Sequence, residues 1–306
     1  MPEVAPDTVL IRVAATCVNS GDARLRALRV PRGAGLLVRM VKGWSGPKQP
    51  ILGFEVAGEV AAVGSAVTRY KPGDPVVAGI GFAERGHAEY LAVNEIGAIA
   101  MIPEGVGYAD AASVIFGGQT VLHFFERGRV QAGESILING ATGAVGVAAV
   151  QIARDMGLHV TAVCGSRNAE LIRSLGAERV IAYDHEDFIA DSARYDVIME
   201  NVGNARFGRI AHLLKPCGRM LQVIGDLYDM IAATGNRQVV VAKGEEQVNA
   251  AAYATLMAML GEGRLRPVID SSYRFEEIIE AHRRVDEGRK VGSVVVTLDS
   301  GGARAG

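Results

Sequence analysis

The run Ile136-Leu-Ile-Asn-Gly-Ala-Thr-Gly-Ala-Val-Gly146 constrains this chain more than any other stretch. An apolar, strand-like segment enters it, glycines stand three apart at 140, 143 and 146, and small apolar residues of helical composition leave it. Strand, tight turn and helix in that order bring a helix N-terminus, with its unpaired N–H groups and positive dipole end, to where a phosphate can sit. The same glycines would also serve a plain connection in a small-residue core. The fingerprint G-x-G-x-x-G is met at its last two positions by Gly143 and Gly146, with Ala141 at the first and Gly140 just before it. A buried strand before, a helix at once after and a second strand ending about twenty residues on favour the phosphate reading. Contacts to a dinucleotide are expected from Gly140, Ala141, Thr142, Gly143, Ala144, Val145 and Gly146.

The rest of the chain alternates around this turn. From residue 134, ESILI, HVTAV, RVIAY, YDVIMEN and RMLQVIG read as strands. Between them lie helices at Ala144–Met156, Ala169–Leu175 and Phe207–Leu214, stopped by Gly157, Gly176 and Pro216-Cys-Gly218. Apolar strands alternating with helices predict a doubly wound parallel sheet. The first hundred residues differ: strands at 9–18, 51–64, 73–80 and 86–93 are separated by glycine-rich turns. Ala109–Ile115 and Thr120–Arg127 read as two helices, and a further helix is expected at Ala250–Leu260. The tail, a strand, a helix at 275–287 and the strand SVVVTL, returns to the first domain. The expected organisation is a β-rich domain of residues 1–105 and 264–306, interrupted by a dinucleotide-binding domain of residues 106–263. The terminal Gly-Gly-Ala-Arg-Ala-Gly is expected to fray.

Composition excludes several classes. A net charge of −2 in 306 residues gives no field to recruit nucleic acid or an anionic membrane. No apolar run approaches the roughly 18 residues of a membrane span, and the N-terminus lacks a signal pattern. Cys17, Cys164 and Cys217 form no CxxC pair and no disulfide framework, which fits a reducing compartment, so the cytoplasm is the expected location. The six histidines show neither HExxH nor paired ligand spacing, and His87 and Tyr90 read as packing residues.

The second strand of the dinucleotide unit selects the cofactor. NAD sites place Asp or Glu at its tip for the ribose 2′-hydroxyl, whereas NADP sites place a cation nearby. Here the strand runs into Cys164-Gly-Ser-Arg-Asn168, with no acid at the tip. Ser166 can donate to a 2′-phosphate and Arg167 can pair with it, so NADPH is favoured over NADH; a solvated loop arginine remains the alternative. The missing acid argues against a methyltransferase, and no tyrosine has a lysine four residues later, as a short-chain dehydrogenase would require.

These segments, with Ser174-Leu-Gly-Ala177, Pro50-Ile-Leu-Gly-Phe-Glu-Val-Ala-Gly-Glu-Val60, Pro72-Gly-Asp74, Ala88-Glu-Tyr90 and Lys290-Val-Gly-Ser-Val-Val-Val296, resemble the medium-chain dehydrogenase/reductase superfamily over nearly the whole chain. The resemblance implies an α/β protein: a GroES-like β-rich catalytic domain with an inserted Rossmann-type domain. Zinc alcohol dehydrogenases of that superfamily carry a catalytic Cys in a GxCGxD-like motif and a His in GHE. Those positions hold Asn19 and Phe54 here, so no metal is expected. Glu55 survives from the second motif and reads as a buried structural carboxylate. Val18-Asn-Ser-Gly-Asp22 instead resembles the VNxxD element of the quinone oxidoreductase, zeta-crystallin-like branch. In that branch the Asn lies beside the nicotinamide of a cofactor that is usually NADPH. The resemblance assigns Asn19 and Asp22 to the catalytic site. It adds Thr120, in Gly117-Gly-Gln-Thr120, and Gly225 and Ser293 to the cofactor contacts; Thr120 would serve equally as a helix N-cap. It also implies a homodimer. Relatives carry about twenty more residues ahead of the first strand. Either the start lies upstream or an edge of that sheet stays unpaired. The basic insert Arg24–Trp44 maps onto no family motif and is expected to flank the pocket.

Without a metal, polarising an alcohol for hydride removal lacks its Lewis acid. Hydride from NADPH adding to a quinone or α,β-unsaturated carbonyl suits the site better, because charge develops on an oxygen that a donor such as Asn19 can stabilise. The tyrosine that enoyl-thioester reductases carry soon after VNxxD is absent between Asp22 and Gly53, so solvent is the expected proton source. Two alternatives stand beside this reading: an NAD(P)-dependent alcohol or aldehyde oxidoreductase of the same superfamily, and a cofactor-binding protein without catalysis.

Overall fold

The structure is a computed structural model that describes residues 1–27, 50–79, 85–225, 233, 235–241 and 249–298. Most of the basic insert and the glycine-rich C-terminal tail lie outside the described residues. Strands β1 (Thr8–Val18), β2 (Glu55–Val63), β3 (Pro75–Gly79), β4 (Tyr90–Asn94) and β5 (Ala98–Met101) come first, with helix α1 (Ser20–Arg26) after β1 and α2 (Tyr108–Arg127) after β5. Then β6 (Ser135–Asn139), β7 (His159–Cys164), β8 (Arg179–Ala182), β9 (Tyr195–Glu200), β10 (Leu214–Gln222) and β11 (Val239–Val241) follow. Helices α3 (Ala144–Asp155), α4 (Ala169–Leu175) and α5 (Phe207–Ile210) lie among them. The chain closes with α6 (Ala250–Gly261), β12 (Ile269–Arg274), α7 (Ile278–Asp286) and β13 (Ser293–Thr297).

The described residues form two compact units. One takes those up to Gln119 and those from Asn249 onward, the other those between Thr120 and Val241. In the first unit the strands pair in the order β12-β13-β1-β2-β3-β5, with β4 also on β1. β1 is long enough to share one edge: Thr8–Arg12 pair with β4, and Ala15–Val18 pair with β13. Alternate residues of β1, Val9, Ile11 and Val13, meet Val56, Val60 and Val76 in one core, as a period of two dictates. Ala281 and Val285, one turn apart on α7, cover Val294 and Val296 of β13 beside Val18.

The second unit is a parallel sheet in the order β11-β10-β9-β6-β7-β8. Chain order reverses between β6 and β9, which pair directly. In open α/β sheets the crevice beyond the strand ends at that switch point is where ligands bind. The fold class is the α/β arrangement expected: a GroES-like β domain and a Rossmann-type sheet.

Several elements differ from the sequence expectation. The two helices expected at 109–115 and 120–127 are one helix, α2. Gly117 and Gly118 lie inside it, and a Cβ on Gly118 would meet Leu256 Cδ2 at 2.4 Å, so glycine is there for close packing rather than as a break. Thr120 is therefore mid-helix, not an N-cap. β10 begins at Leu214 and runs through Pro216, which a shift of register against β9 between Leu214 and Arg219 accommodates. Short strands β5 and β11 were not foreseen. Helix α6 falls with the first unit: Leu256 packs on Gly118, and the Tyr253 hydroxyl fills the space above Gly79.

Candidate functional site

The glycine turn leaves β6 at its C-terminal end. Gly140 takes φ +76°, a left-handed conformation that favours glycine, and Ala141 N donates to Val163 O at 3.0 Å. A Cβ on Gly146 would stand 2.2 Å from Gly140 O, so the first turn of α3 lies directly on the loop. Gly143 differs: as the N-cap of α3 it adopts φ −70°, and the nearest atom to a Cβ there is 3.9 Å away. Open space thus faces the helix start, whose first N–H groups lack intrahelical acceptors. That cradle, which a side chain at 143 would fill, fits a dinucleotide pyrophosphate.

The far wall of this turn was not singled out from the sequence. Glu200, fully buried at the end of β9, accepts from Asn139 Nδ2 (2.8 Å), Val202 N (3.1 Å) and Gly203 N (2.7 Å). Burial raises its pKa against those hydrogen bonds. It shapes the 201–204 loop, from which Val202 reaches the space beside Gly140. Asn201 Nδ2 donates to Asn139 O at 3.0 Å, while its Oδ1 is buried without a partner. The available signal was a carboxylate ending an apolar strand just before Asn-Val-Gly.

The tip of β7 corrects one expectation. No acid lies in the tip itself, but Asp184, just past β8, reaches across to it. Its Oδ1 accepts from Ser166 N at 2.9 Å and its Oδ2 from Ser166 Oγ at 2.5 Å. The Ser166 hydroxyl bond is the main reason the Asp184 carboxyl titrates below its ordinary range. Ser166 is thus already engaged, whereas Arg167 is exposed. The exposed Tyr183 ring lies against Gly165, with the hydroxyl 3.1 Å from where a Cβ would stand.

The first unit gathers a second group of residues where β1 ends. Asn19 and Asp22 are both buried. Asp22 Oδ2 accepts from Asn19 N at 2.8 Å, closing the start of α1, and Oδ1 accepts from Gly53 N at 2.9 Å, tying the segment before β2 to it. Asn19 Nδ2 donates to Glu55 Oε1 at 2.7 Å. The remaining oxygens, Asn19 Oδ1 and Glu55 Oε2, are buried and unpaired. Burial first, and then the Asp22 charge, push the Glu55 carboxyl up to about 8, against the Asn19 hydrogen bond, the Cys17 thiol and the Lys290 charge. Phe54 packs on Gly21 and on Phe116, ring centroids 5.8 Å apart. An aromatic ring there has no lone pair to give a metal.

Other expected residues border these groups: Ser293 precedes Val294, the cross-strand partner of Val18, and Gly225 follows Ile224, which lies against Gly203. Ser293 Oγ donates to Ser113 O at 2.7 Å, which occupies its proton in the fold. Gly225 follows β10, and His87 is half-buried with Nε2 3.0 Å from Cys17 O. Among the described residues, no helix is long and apolar enough to cross a membrane.

Two family models match the chain, the alcohol dehydrogenase GroES-like domain over residues 5–123 and zinc-binding dehydrogenase over residues 175–296. The second range includes neither Asn19 nor Phe54. The chain is thus similar to the medium-chain dehydrogenase/reductase superfamily and, through the relatives that follow, to its quinone oxidoreductases and enone reductases. It is 29% identical to a 2-methylene-furan-3-one reductase of Solanum lycopersicum, covering 97% of this chain and 73% of that one. It is also 29% identical to the chloroplastic quinone-oxidoreductase QR1 of Triphysaria versicolor, over 97% of this chain and 91% of the other. Among solved structures, the quinone oxidoreductase from Coxiella burnetii superposes with a TM-score of 0.84 at 28% identity, covering 97% and 92% of the two chains.

Proposed function

We propose that this oxidoreductase is a zinc-independent, NADPH-dependent reductase that takes a quinone or an α,β-unsaturated carbonyl compound as acceptor. The observation that carries the reading is the Asn19–Glu55 pair. A buried amide with one end anchored and one end unpaired stands at the sequence position to which the resemblance assigns the cysteine ligand of zinc enzymes. Phe54 beside it fills the other ligand position with an apolar ring. The names of relatives point the same way, one being an NADPH-dependent alkenal/one oxidoreductase of Arabidopsis thaliana.

In this reading Gly140–Gly146 receive the pyrophosphate of the cofactor, and Ser166 and Arg167 the 2′-phosphate. The bound dinucleotide supplies the hydride. Asn19 orients the nicotinamide or the acceptor oxygen, and a hydrogen bond from it stabilises the negative charge that develops on that oxygen. Asp22 keeps Asn19 in position through the backbone. Phe54 and Phe116 line the region with apolar surface that excludes water. A proton from solvent completes the reduction. The functional unit is a homodimer acting in the cytoplasm.

NADPH oxidation against a panel of quinones, enals and enones tests the reading. Turnover is expected to be unaffected by a chelator; consumption of NADPH that requires added zinc would sink the proposal. Sedimentation velocity tests the dimer.

A further inference from the structure

We propose that Glu55 is a positioning residue that acts through Asn19, its protonation state deciding which end of the Asn19 amide faces the bound nicotinamide. The proposal rests on the reading of Asn19 given above.

The geometry leaves the amide two arrangements. An ionised carboxylate can only accept, so it holds Nδ2 at 2.7 Å and leaves Oδ1, buried and without a partner, as the amide's free acceptor. A protonated Glu55 can donate to Oδ1 instead, and a half-turn of the amide then presents Nδ2–H₂ outward as a donor. Within the pair Oδ1 of Asn19 is buried without a partner, and the Cys17 thiol is the further group that acts on the Glu55 carboxyl, so the free end of the amide is open to either arrangement. An outward acceptor suits the NH₂ of a nicotinamide carboxamide. An outward donor suits charge developing on an acceptor oxygen.

The surroundings poise Glu55 between these states. Asp22 from α1 and Cys17 from β1 face it, and Lys290, ahead of β13, contributes positive charge while donating to Gly292 O at 2.6 Å. Tyr253 from α6 places its hydroxyl above Gly79, the cross-strand partner of Glu55, and directly opposed residues of an antiparallel pair project to one face. Thr16 Oγ1 holds the Glu55 backbone oxygen at 2.7 Å, which fixes the strand while the carboxyl titrates. With burial and Asp22 raising it to about 8, the carboxyl changes charge in a range open to ordinary assays.

Fluorescence titration with NADPH, without acceptor, from about pH 7 to about pH 9.5 tests the proposal, in a range where the 2′-phosphate is already ionised. In the wild type, affinity is expected to tighten about tenfold as Glu55 ionises and Oδ1 turns outward, the scale of one hydrogen bond gained. Glu55→Gln keeps Asn19 paired at every pH and should flatten the curve. A wild-type affinity that does not change with pH overturns the proposal, and so does a change that survives in Glu55→Gln. If the variant does not fold, infrared difference spectra of the wild type replace it. The carbonyl stretch of a protonated carboxylic acid should disappear with the midpoint of the affinity change, and a mismatch overturns the proposal. Because no acceptor is present, a protein that binds NADPH but reduces no quinone or enone defeats the proposed function without altering this result.

Discussion

Two alanine substitutions three residues apart separate what the glycine turn does for the fold from what it does for a ligand. A Cβ at position 146 would lie 2.2 Å from Gly140 O and 2.6 Å from both Ala141 C and Cα. Favourable contact requires roughly 3.5 Å, so turn and helix must part by about 1 Å. None of the atoms met belongs to a flexible side chain, and the turn is held by the Ala141–Val163 hydrogen bond and the left-handed Gly140. Overpacking of this kind costs up to roughly 3 kcal/mol, and the better helix propensity of alanine returns about 1 kcal/mol. Gly146→Ala is thus expected to lose about 2 kcal/mol, which lowers Tm by roughly 4–8 °C. Gly143 already has φ −70°, and the nearest atom a new Cβ would meet, Gly140 O, stands at an ordinary contact distance of 3.9 Å. Alanine there should cost only a few tenths of a kcal/mol to about 1 kcal/mol at an N-cap. Its methyl group would instead occupy the space assigned to the pyrophosphate, and NADPH affinity should fall about tenfold or more. Thermal denaturation with and without NADPH reads both effects. A Gly146→Ala protein that melts like the wild type refutes the packing argument, and a Gly143→Ala protein with unchanged affinity refutes the pyrophosphate assignment.

Other substitutions test the neighbouring claims. Asp22→Asn leaves one acceptor for two buried backbone donors, on Asn19 and Gly53, and should cost about 2–3 kcal/mol in urea denaturation; an unchanged midpoint would remove the capping role. Asp184→Asn takes a negative charge from beside Ser166 and should raise the NADPH-to-NADH affinity ratio about threefold, whereas Arg167→Glu should lower it. A ratio that stays put in either variant excludes that residue from 2′-phosphate recognition. Glu55 also links stability to pH. Its folded carboxyl lies at about 8 against 4.5 when free, so the folded state keeps a proton that the unfolded chain loses. Its contribution is complete below about pH 4.5 and disappears as pH rises through about 8. Glu55→Gln should therefore flatten the decline in Tm across that window, and parallel curves would contradict the raised carboxyl.

What could be read in the sequence was local. β6, the turn and α3 are contiguous, and each obeys its own rule of composition, so the dinucleotide unit was legible with α3 and α4 ending within a residue of the expected positions. Errors arose where a distant partner overrode a local signal. Gly117-Gly118 looks like a break because glycine weakens a helix, yet Leu256, far along the chain, needs that surface free of side chains. Pro216 looks like a stop, yet a register shift against β9 absorbs it. β5 and β11 are too short to show a period, so only pairing reveals them.

The candidate site obeys the same division. An acid at the end of the second strand is a statement about space, and the sequence test inspects only the residues of that strand. Asp184 comes from the end of the next strand and lies on Ser166 all the same. Under the proposed function, discrimination between NADPH and NADH rests on the balance of Asp184 against Arg167 rather than on an absence of acid. The segment that carries Asn19 stands out in the sequence because its motif is short and contiguous. The atom that orients it was not, since Glu55 lies 36 residues away and joins Asn19 only when β1 and β2 pair. Once they do, a buried carboxyl meets an amide with two ends and one anchor. The chemistry of that pair then follows from where one proton resides, a variable that residue types and spacing do not encode.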